Sequence, residues 1–508
     1  MEQRELLLQF MNTLSPIKGV EYMAYWVVSV SIPLMIAYCL LLRKRFGDID
    51  RIPGPFLARW TPFWLAYHVR LGQRYQAVHR LHEKYGVFAR ISPNHVSIAD
   101  KDAIAIIYGH GSKALQKSAF YDAFVNETPS VFSTVGKEDH SRKRRLVAHA
   151  FSSQSLQHFT TFLENNMHSF VCQMDRICES SRSVNALLWF NYLSFDILSD
   201  LVFGEPIGMI KNASDIVTVQ DVNGETFEEH AISIVDEREH LATIIGLHPS
   251  FNFLTRLIPD PFFIRAHKSS VALGNLARRQ VLRRLQVPST RVDILAKLIE
   301  THRSDTSSSS ISAIIFLILT HPQVYKKLMD TLDSAIKSEE PTYEEVKDIP
   351  YLDATINEGY LFFPPGCQLN QLNKQSRLRY HATTAIGLHR VVPEGGITCC
   401  GVYFPPGTEI SVPAWTIQRD PKIWTDPNVF RPERWLESAD LKPFLLTFGK
   451  GSRACLGRNL AYMEMRIVIA TVLTRYTLQL ESDVLITKEG FMHKPLHLMA
   501  KFQRRQYH

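Results

Sequence analysis

Cysteine is scarce and unpatterned in this chain. The seven (Cys39, Cys172, Cys178, Cys367, Cys399, Cys400 and Cys455) include no C-x-x-C pair. That excludes a ribbon-type zinc site and a secreted disulfide framework, and it reads as a reducing compartment. Adjacent Cys399 and Cys400 are expected in a strand or turn as small apolar residues. A dominant charge is also missing: Lys+Arg 57 against Asp+Glu 50 leaves +7, with no long basic run. Nucleic acid is therefore excluded as a partner, while an acidic protein or anionic lipid suits the mild excess. No internal repeat is present, and Ser307 to Ser310 is the one low-complexity patch. Hydrophobic residues at 45% and charged ones at 21% exclude both a disordered tail and a multi-spanning membrane protein.

One long apolar run is present. Tyr22 to Leu42 holds 21 uncharged residues, which as a helix span about 31 Å, enough for a bilayer core. Arg43, Lys44 and Arg45 follow, so the positive-inside rule puts everything downstream in the cytosol. The acidic lead (Glu2, Glu5, Glu21) and the lack of a small-residue cleavage site argue against a removed signal peptide. Ile52-Pro53-Gly54-Pro55 then makes a stiff turn that no helix crosses. The expected organisation is a lumenal segment 1–21, an anchor 22–42, a basic and Pro-rich linker 43–55, and one catalytic body over 56–508. The body reads as mainly α with a small β portion. Leu187 to Phe203 is apolar all round with Gly204 to stop it, as a central buried helix is. Tyr462 to Leu473 is similar. Ala89 to Ser92, Val96 to Ile98 and Gly401 to Phe404 read as strands.

The chemistry concentrates in Phe448-Gly449-Lys450-Gly451-Ser452-Arg453-Ala454-Cys455-Leu456-Gly457. Its glycines and the helix from Arg458 build a tight loop whose N–H groups can point at one atom, here the Cys455 sulfur. A thiolate needs nearby positive charge or N–H donors, and the loop offers both. No His or Asp lies close in sequence as a base, so a metal ligand is the better reading than a nucleophile, although a base distant in sequence stays open. His140 and Arg144, at i and i+4, share one helix face.

This loop fills every fixed position of F-x-x-G-x-R-x-C-x-G and so resembles the haem-binding signature of the cytochrome P450 family. The resemblance implies a P450-like fold and a haem b whose iron takes Cys455 as its thiolate, a ligand that favours O–O cleavage. It implies Phe448 packed near the sulfur, with His140, Arg144, Arg390 and Arg453 reaching the haem propionates. Phe430 to Trp435 resembles the family's meander motif, in which Arg434 joins a Glu–Arg–Arg network. Thr384 to Leu388 would line the substrate side.

The chain departs from the family pattern twice. The oxygen-activating helix normally carries A/G-G-x-D/E-T-T/S, whereas this chain reads His302-Arg303-Ser304-Asp305-Thr306-Ser307. Asp305 and Thr306 match the proton-delivery pair; His302 and Arg303 replace small residues, and the helix, near 304–320, is truncated. In the E-x-x-R motif, Glu358 is followed three residues on by Leu361. Joining Gly359 directly to Leu378-Arg379 restores E-G-L-R, so residues 360–377 are expected to be a retained intron. A GTAT donor at Gly359-Tyr360 and an AG acceptor at Arg377 fit that reading, and Arg379 becomes the partner of Glu358 and Arg434. A genuine insertion is the alternative.

The resemblance implies a monooxygenase of the endoplasmic reticulum membrane, single-pass with a cytosolic catalytic domain. Electrons would come from NADPH through a flavin-containing NADPH–cytochrome P450 reductase docking on Arg142, Lys143, Arg145, Lys450 and Arg458. The partners are thus that reductase, a small-molecule substrate and membrane lipid. Tyr108 to Gly111, Phe120 to Val125 and Phe190 to Tyr192 are similar to the fungal benzoate para-hydroxylase group, although His389 stands where that group has Pro. The expected substrate is a small organic molecule of fungal secondary metabolism, with a benzoate-type acid as the alternative. A haem-thiolate isomerase or dehydratase and a catalytically impaired haem-binding pseudoenzyme are the competing functions.

Overall fold

The computed structural model describes residues 29–34, 36–38, 40–41, 49–110, 115–152, 155, 157, 159–221, 223–286, 305–362 and 385–506. Most of the expected anchor, His302 to Ser304, Arg379, Thr384 and most of 360–377 lie outside them.

Helices carry the body. We label those that position the site, with the strands between them, in chain order: α1 (Arg74–Tyr85), β1 (Phe88–Ser92), β2 (His95–Ile98), β3 (Gln116–Lys117), α2 (Lys137–Ala148), α3 (Ala186–Phe203), α4 (Asp305–Thr320), α5 (Pro350–Phe362), β4 (Arg390–Val391), β5 (Glu409–Ser411) and α6 (Arg458–Arg475). Helix α3 has no polar stripe because it is packed on all sides, and 78% of it is buried. Its polar residues are buried too and are satisfied internally: the Asp196 carboxylate accepts from the N–H groups of Gly208, Met209 and Ile210 at 2.7, 3.0 and 2.9 Å. Gly204, at φ 83°, ends the helix in the left-handed conformation that a side chain disfavours. Helix α4 packs against α3, α5 and α6, and its Ile311 to Ile318 are sealed in the main core.

The largest sheet runs β1-β2-β5-β4-β3. β1 and β2, both read as strands from their alternation, pair as a hairpin, whereas β2 pairs in parallel with β5, more than three hundred residues later. Pro53 is pressed onto this sheet, its carbonyl accepting from Arg90 N–H at 2.8 Å. A second hairpin, Ile397–Cys399 with Val402–Phe404, turns at Cys400 and Gly401. Cys399 lies buried in its strand and Cys400 in the turn, both as free thiols.

Candidate active site

The loop ahead of α6 is folded by one close approach. A Cβ on Gly451 would lie 1.9 Å from the Tyr108 carbonyl oxygen and 2.4 Å from that of Gly109, at a φ of +69° that already disfavours a side chain. The loop can therefore lie flat against the end of the helix Lys101–Tyr108. Cys455 N–H closes it by donating to the Phe448 carbonyl at 2.8 Å. The Cys455 side chain is exposed, and α6 starts three residues beyond it, so the sulfur stands near a helix N-terminus, where anions are favoured. Arg144 of α2 donates to the Ala454 carbonyl at 2.7 Å, which brings a guanidinium alongside the thiol. The Phe448 ring sits 4.9 Å from that of Tyr360 and 5.5 Å from that of Tyr462.

Beside the loop, cations from four elements converge. Arg453 reaches back to the Thr134 and Val135 carbonyls at 3.0 and 2.9 Å. Arg390 of β4 is buried and donates to the Tyr121 hydroxyl at 3.3 Å and to the His389 carbonyl at 2.8 Å. Lys117 of β3 donates to the Phe132 carbonyl and lies 4.8 Å from the Tyr121 ring. At their centre is His140. Burial, with Arg453, Lys117, Arg144 and Arg390 around it, pushes its pKa down to about 3. Burial, and then Arg390, likewise lowers Arg453 to about 10. Arg144, Arg390 and Arg453 donate to carbonyls and a phenol, with no carboxylate paired to them among the described residues. The site is an electrostatic well for an anion.

Glu358 of α5 lies behind the loop, fully enclosed. It accepts from Arg434 Nε at 3.1 Å, Trp435 Nε1 at 2.7 Å and Arg431 N–H at 2.8 Å. Burial still pushes its carboxyl up to about 7, against the pull of Arg434. Leu361 is also buried, within the apolar core. Trp435 is a partner that sequence reasoning did not assign, although it stands in the same short motif as Arg434.

Asp305 and Thr306 form the first turn of α4 as described. The serines that follow them are buried: Ser308 donates to Asn191, and Ser312 donates to the Ser308 carbonyl at 2.8 Å. On the other side of Arg390, Phe120, Tyr121, Ile386, Phe491 and Met492 form an apolar cluster with Phe124 and Phe132 against it. Neighbouring rings there lie 5.0 to 6.3 Å apart. Lys117 had no sequence signal, because it belongs to no spaced motif; Tyr121 stood in a segment marked only by its family resemblance, and tertiary structure alone brings its hydroxyl to Arg390.

Of the expected docking cations, Arg142 pairs with Asp139 at 2.6 Å, and Lys143 lies 3.3 Å from the same carboxylate. Arg145 and Arg458 are exposed, and Lys450 donates to the Lys442 carbonyl at 2.9 Å.

The family model described as cytochrome P450 matches residues 53–247, 301–370 and 377–502. Benzoate 4-monooxygenase bphA of Aspergillus niger is 35% identical, the alignment covering 94% of this chain and 97% of that one. A cytochrome P450 monooxygenase of Aspergillus terreus is 27% identical over 91% of this chain and 97% of its own. The cytochrome P450 monooxygenase atr2 of Stereocaulon alpinum is 30% identical over 80% of each.

Proposed function

Because this chain belongs to the cytochrome P450 family, and is thereby a haem-dependent monooxygenase, we propose that it hydroxylates a small aromatic carboxylic acid of the benzoate type. The observation that carries this reading is the 35% identity to a benzoate 4-monooxygenase over 94% of this chain, above that of the other two relatives named. It makes us prefer an aromatic acid to a larger secondary metabolite.

The residues present fit the family's haem. Cys455 offers an exposed thiol with a guanidinium and a helix N-terminus beside it, the setting of an iron thiolate. Arg144, Arg390 and Arg453 around His140 suit two propionates better than any protein group the described residues supply. In this reading a haem held there would supply the dioxygen-activating chemistry, Asp305 and Thr306 would deliver protons, and Glu358 with Arg434 would brace the cysteine loop from behind. Arg142, Lys143, Arg145, Lys450 and Arg458 receive an acidic face of an NADPH-dependent reductase.

Membrane attachment through residues 22–42 at the endoplasmic reticulum completes the reading. Val30, Ile32, Leu34, Ile36, Leu40 and Leu41 are exposed, and Tyr38 is hydrogen-bonded to His248 at 2.7 Å. Near His248, Phe253, Leu257 and Ile258 are exposed as well, and an apolar patch of this kind suits a lipid surface.

The retained-intron reading of 360–377 stands as a second proposal. The family match breaks over 371–376, within this segment, while 360–370 and 377 lie inside the match. Excision also keeps Gly359 a glycine, as packing requires: a Cβ there would lie 2.3 Å from Ile314 Cγ1. Sequencing the transcript across this region tests it.

The functional test is turnover with benzoate, NADPH and a reductase. A ring-hydroxylated acid is expected. Turnover independent of NADPH would instead favour the isomerase or dehydratase, and absence of turnover by haem-loaded protein would favour the pseudoenzyme.

A further inference from the structure

Glu464 faces the core from α6, and 5% of it is exposed. Its neighbours in the helix, Met463, Met465, Ile467 and Val468, are buried with it. No Lys, Arg or His pairs with its carboxyl among the described residues. Its partners are two hydroxyls: Ser194 of α3, which donates to Oε1, and Ser307 of α4. Burial raises its pKa against the pull of both serines. A buried carboxyl with no cation is costly, whereas the hydrogen bonds that satisfy it fix how the packed helices sit on one another.

The three helices joined here all bear on the site. α6 follows the cysteine loop, α4 opens with Asp305 and Thr306, and Ser307 is the next residue. Ser308 is tied in turn, donating to Asn191 of α3. The two residues after the Asp305–Thr306 pair are thus anchored, one to α6 through Glu464 and one to α3. The first N–H groups of a helix have no intrahelical acceptor, so side-chain tethers of this kind set where such a turn sits.

We propose that Glu464 is a positioning residue, holding the Asp305–Thr306 turn in register with the cysteine-bearing side of the site through Ser307. The inference rests on the proton-delivery reading of Asp305 and Thr306 above and deepens it. Glu464 acts by shape and hydrogen bonding, not by charge. Glutamine has the same outline: its amide oxygen accepts from Ser194, and its amide nitrogen donates to the Ser307 hydroxyl. Leucine fills a similar volume but leaves both hydroxyls without that partner.

Two measurements on the haem-loaded full chain test the inference together. One is amide hydrogen exchange read by mass spectrometry. The other is peroxide released per NADPH oxidised, with a reductase and benzoate, which reports dioxygen reduced without reaching the substrate. Glu464→Leu should speed exchange in the opening turns of α4 by about tenfold, the worth of one hydrogen bond. It should also raise the peroxide yield, because a misplaced proton donor falls behind. Glu464→Gln should match the parent in both. If Glu464→Leu does not fold or load haem, Ser307→Ala removes the other end of the tether and should act in its place. Parent-like exchange or peroxide yield in the variant that folds would overturn the positioning role, as would a glutamine variant as impaired as the leucine one. Thr306→Ala with an unchanged peroxide yield would instead overturn the proton-delivery reading, and the inference with it.

Discussion

Arg434 Nε lies 3.0 Å from the Glu358 carboxylate, with the two side chains 2% and 0% exposed. The described residues bring no second guanidinium to this carboxylate; Trp435 and the Arg431 N–H complete its coordination. A buried ion pair is held by its geometry and its extra hydrogen bonds, and it fails when one partner goes. Arg434 accordingly also donates to the Asp426 and Val429 carbonyls at 3.1 and 2.8 Å. The pair ties α5 to the segment leading into the cysteine loop.

Removing the carboxylate charge strands Arg434. Glu358→Gln should cost roughly 3–5 kcal/mol of stability, the usual penalty for breaking a buried pair. Chemical denaturation measures it, and a loss below about 1 kcal/mol would contradict the bracing role.

The chain without residues 360–377 should incorporate more haem than the chain with them, because Arg379 would then stand three residues after Glu358. Haem per polypeptide, measured on both forms expressed side by side, decides this. Equal or lower incorporation in the shorter form counts against the intron.

Two glycines of the loop should behave differently. Gly451→Ala meets the Tyr108 carbonyl at a left-handed φ and should lose at least roughly 1–3 kcal/mol. Gly457→Ala meets nothing closer than the Cys455 sulfur at 4.0 Å and should stay within about 0.5 kcal/mol of the parent. Similar losses at both positions would contradict the close-approach account.

His82 should make stability fall on the acid side. It is buried between the Gly86 carbonyl and Ser97 Oγ, each at 2.8 Å, and burial holds its pKa at about 4. The unfolded chain, with an ordinary histidine near 6.5, binds the proton first. Stability should therefore be full above pH ~6.5 and decline towards pH ~4, by about 3 kcal/mol from this residue. His82→Gln should flatten that slope; an unchanged slope would exclude His82 as its source.

Much of the scaffold was legible in the sequence where the signal is local. Leu187 to Phe203 reads as a core helix because it lacks a polar face and ends at Gly204, and the structure extends it by one residue, to Ala186. The strand read over Gly401 to Phe404 is present as Val402–Phe404, with Gly401 in the turn that precedes it. The parallel pairing of β2 with β5 was not legible, since strands so far apart in the chain leave no mark on each other's composition. The cysteine loop stood out because its glycines, cations and thiol are contiguous. Lys117 did not, because a buried cation looks like any surface cation until tertiary structure encloses it.

The most direct test of the central claim is the ferrous–carbon monoxide spectrum of the parent chain beside Cys455→Ala. The account predicts the red-shifted band that gives the family its name in the parent, and its loss in the variant with the fold retained by circular dichroism. The same band persisting in Cys455→Ala would contradict the assignment of Cys455 as the haem-iron ligand.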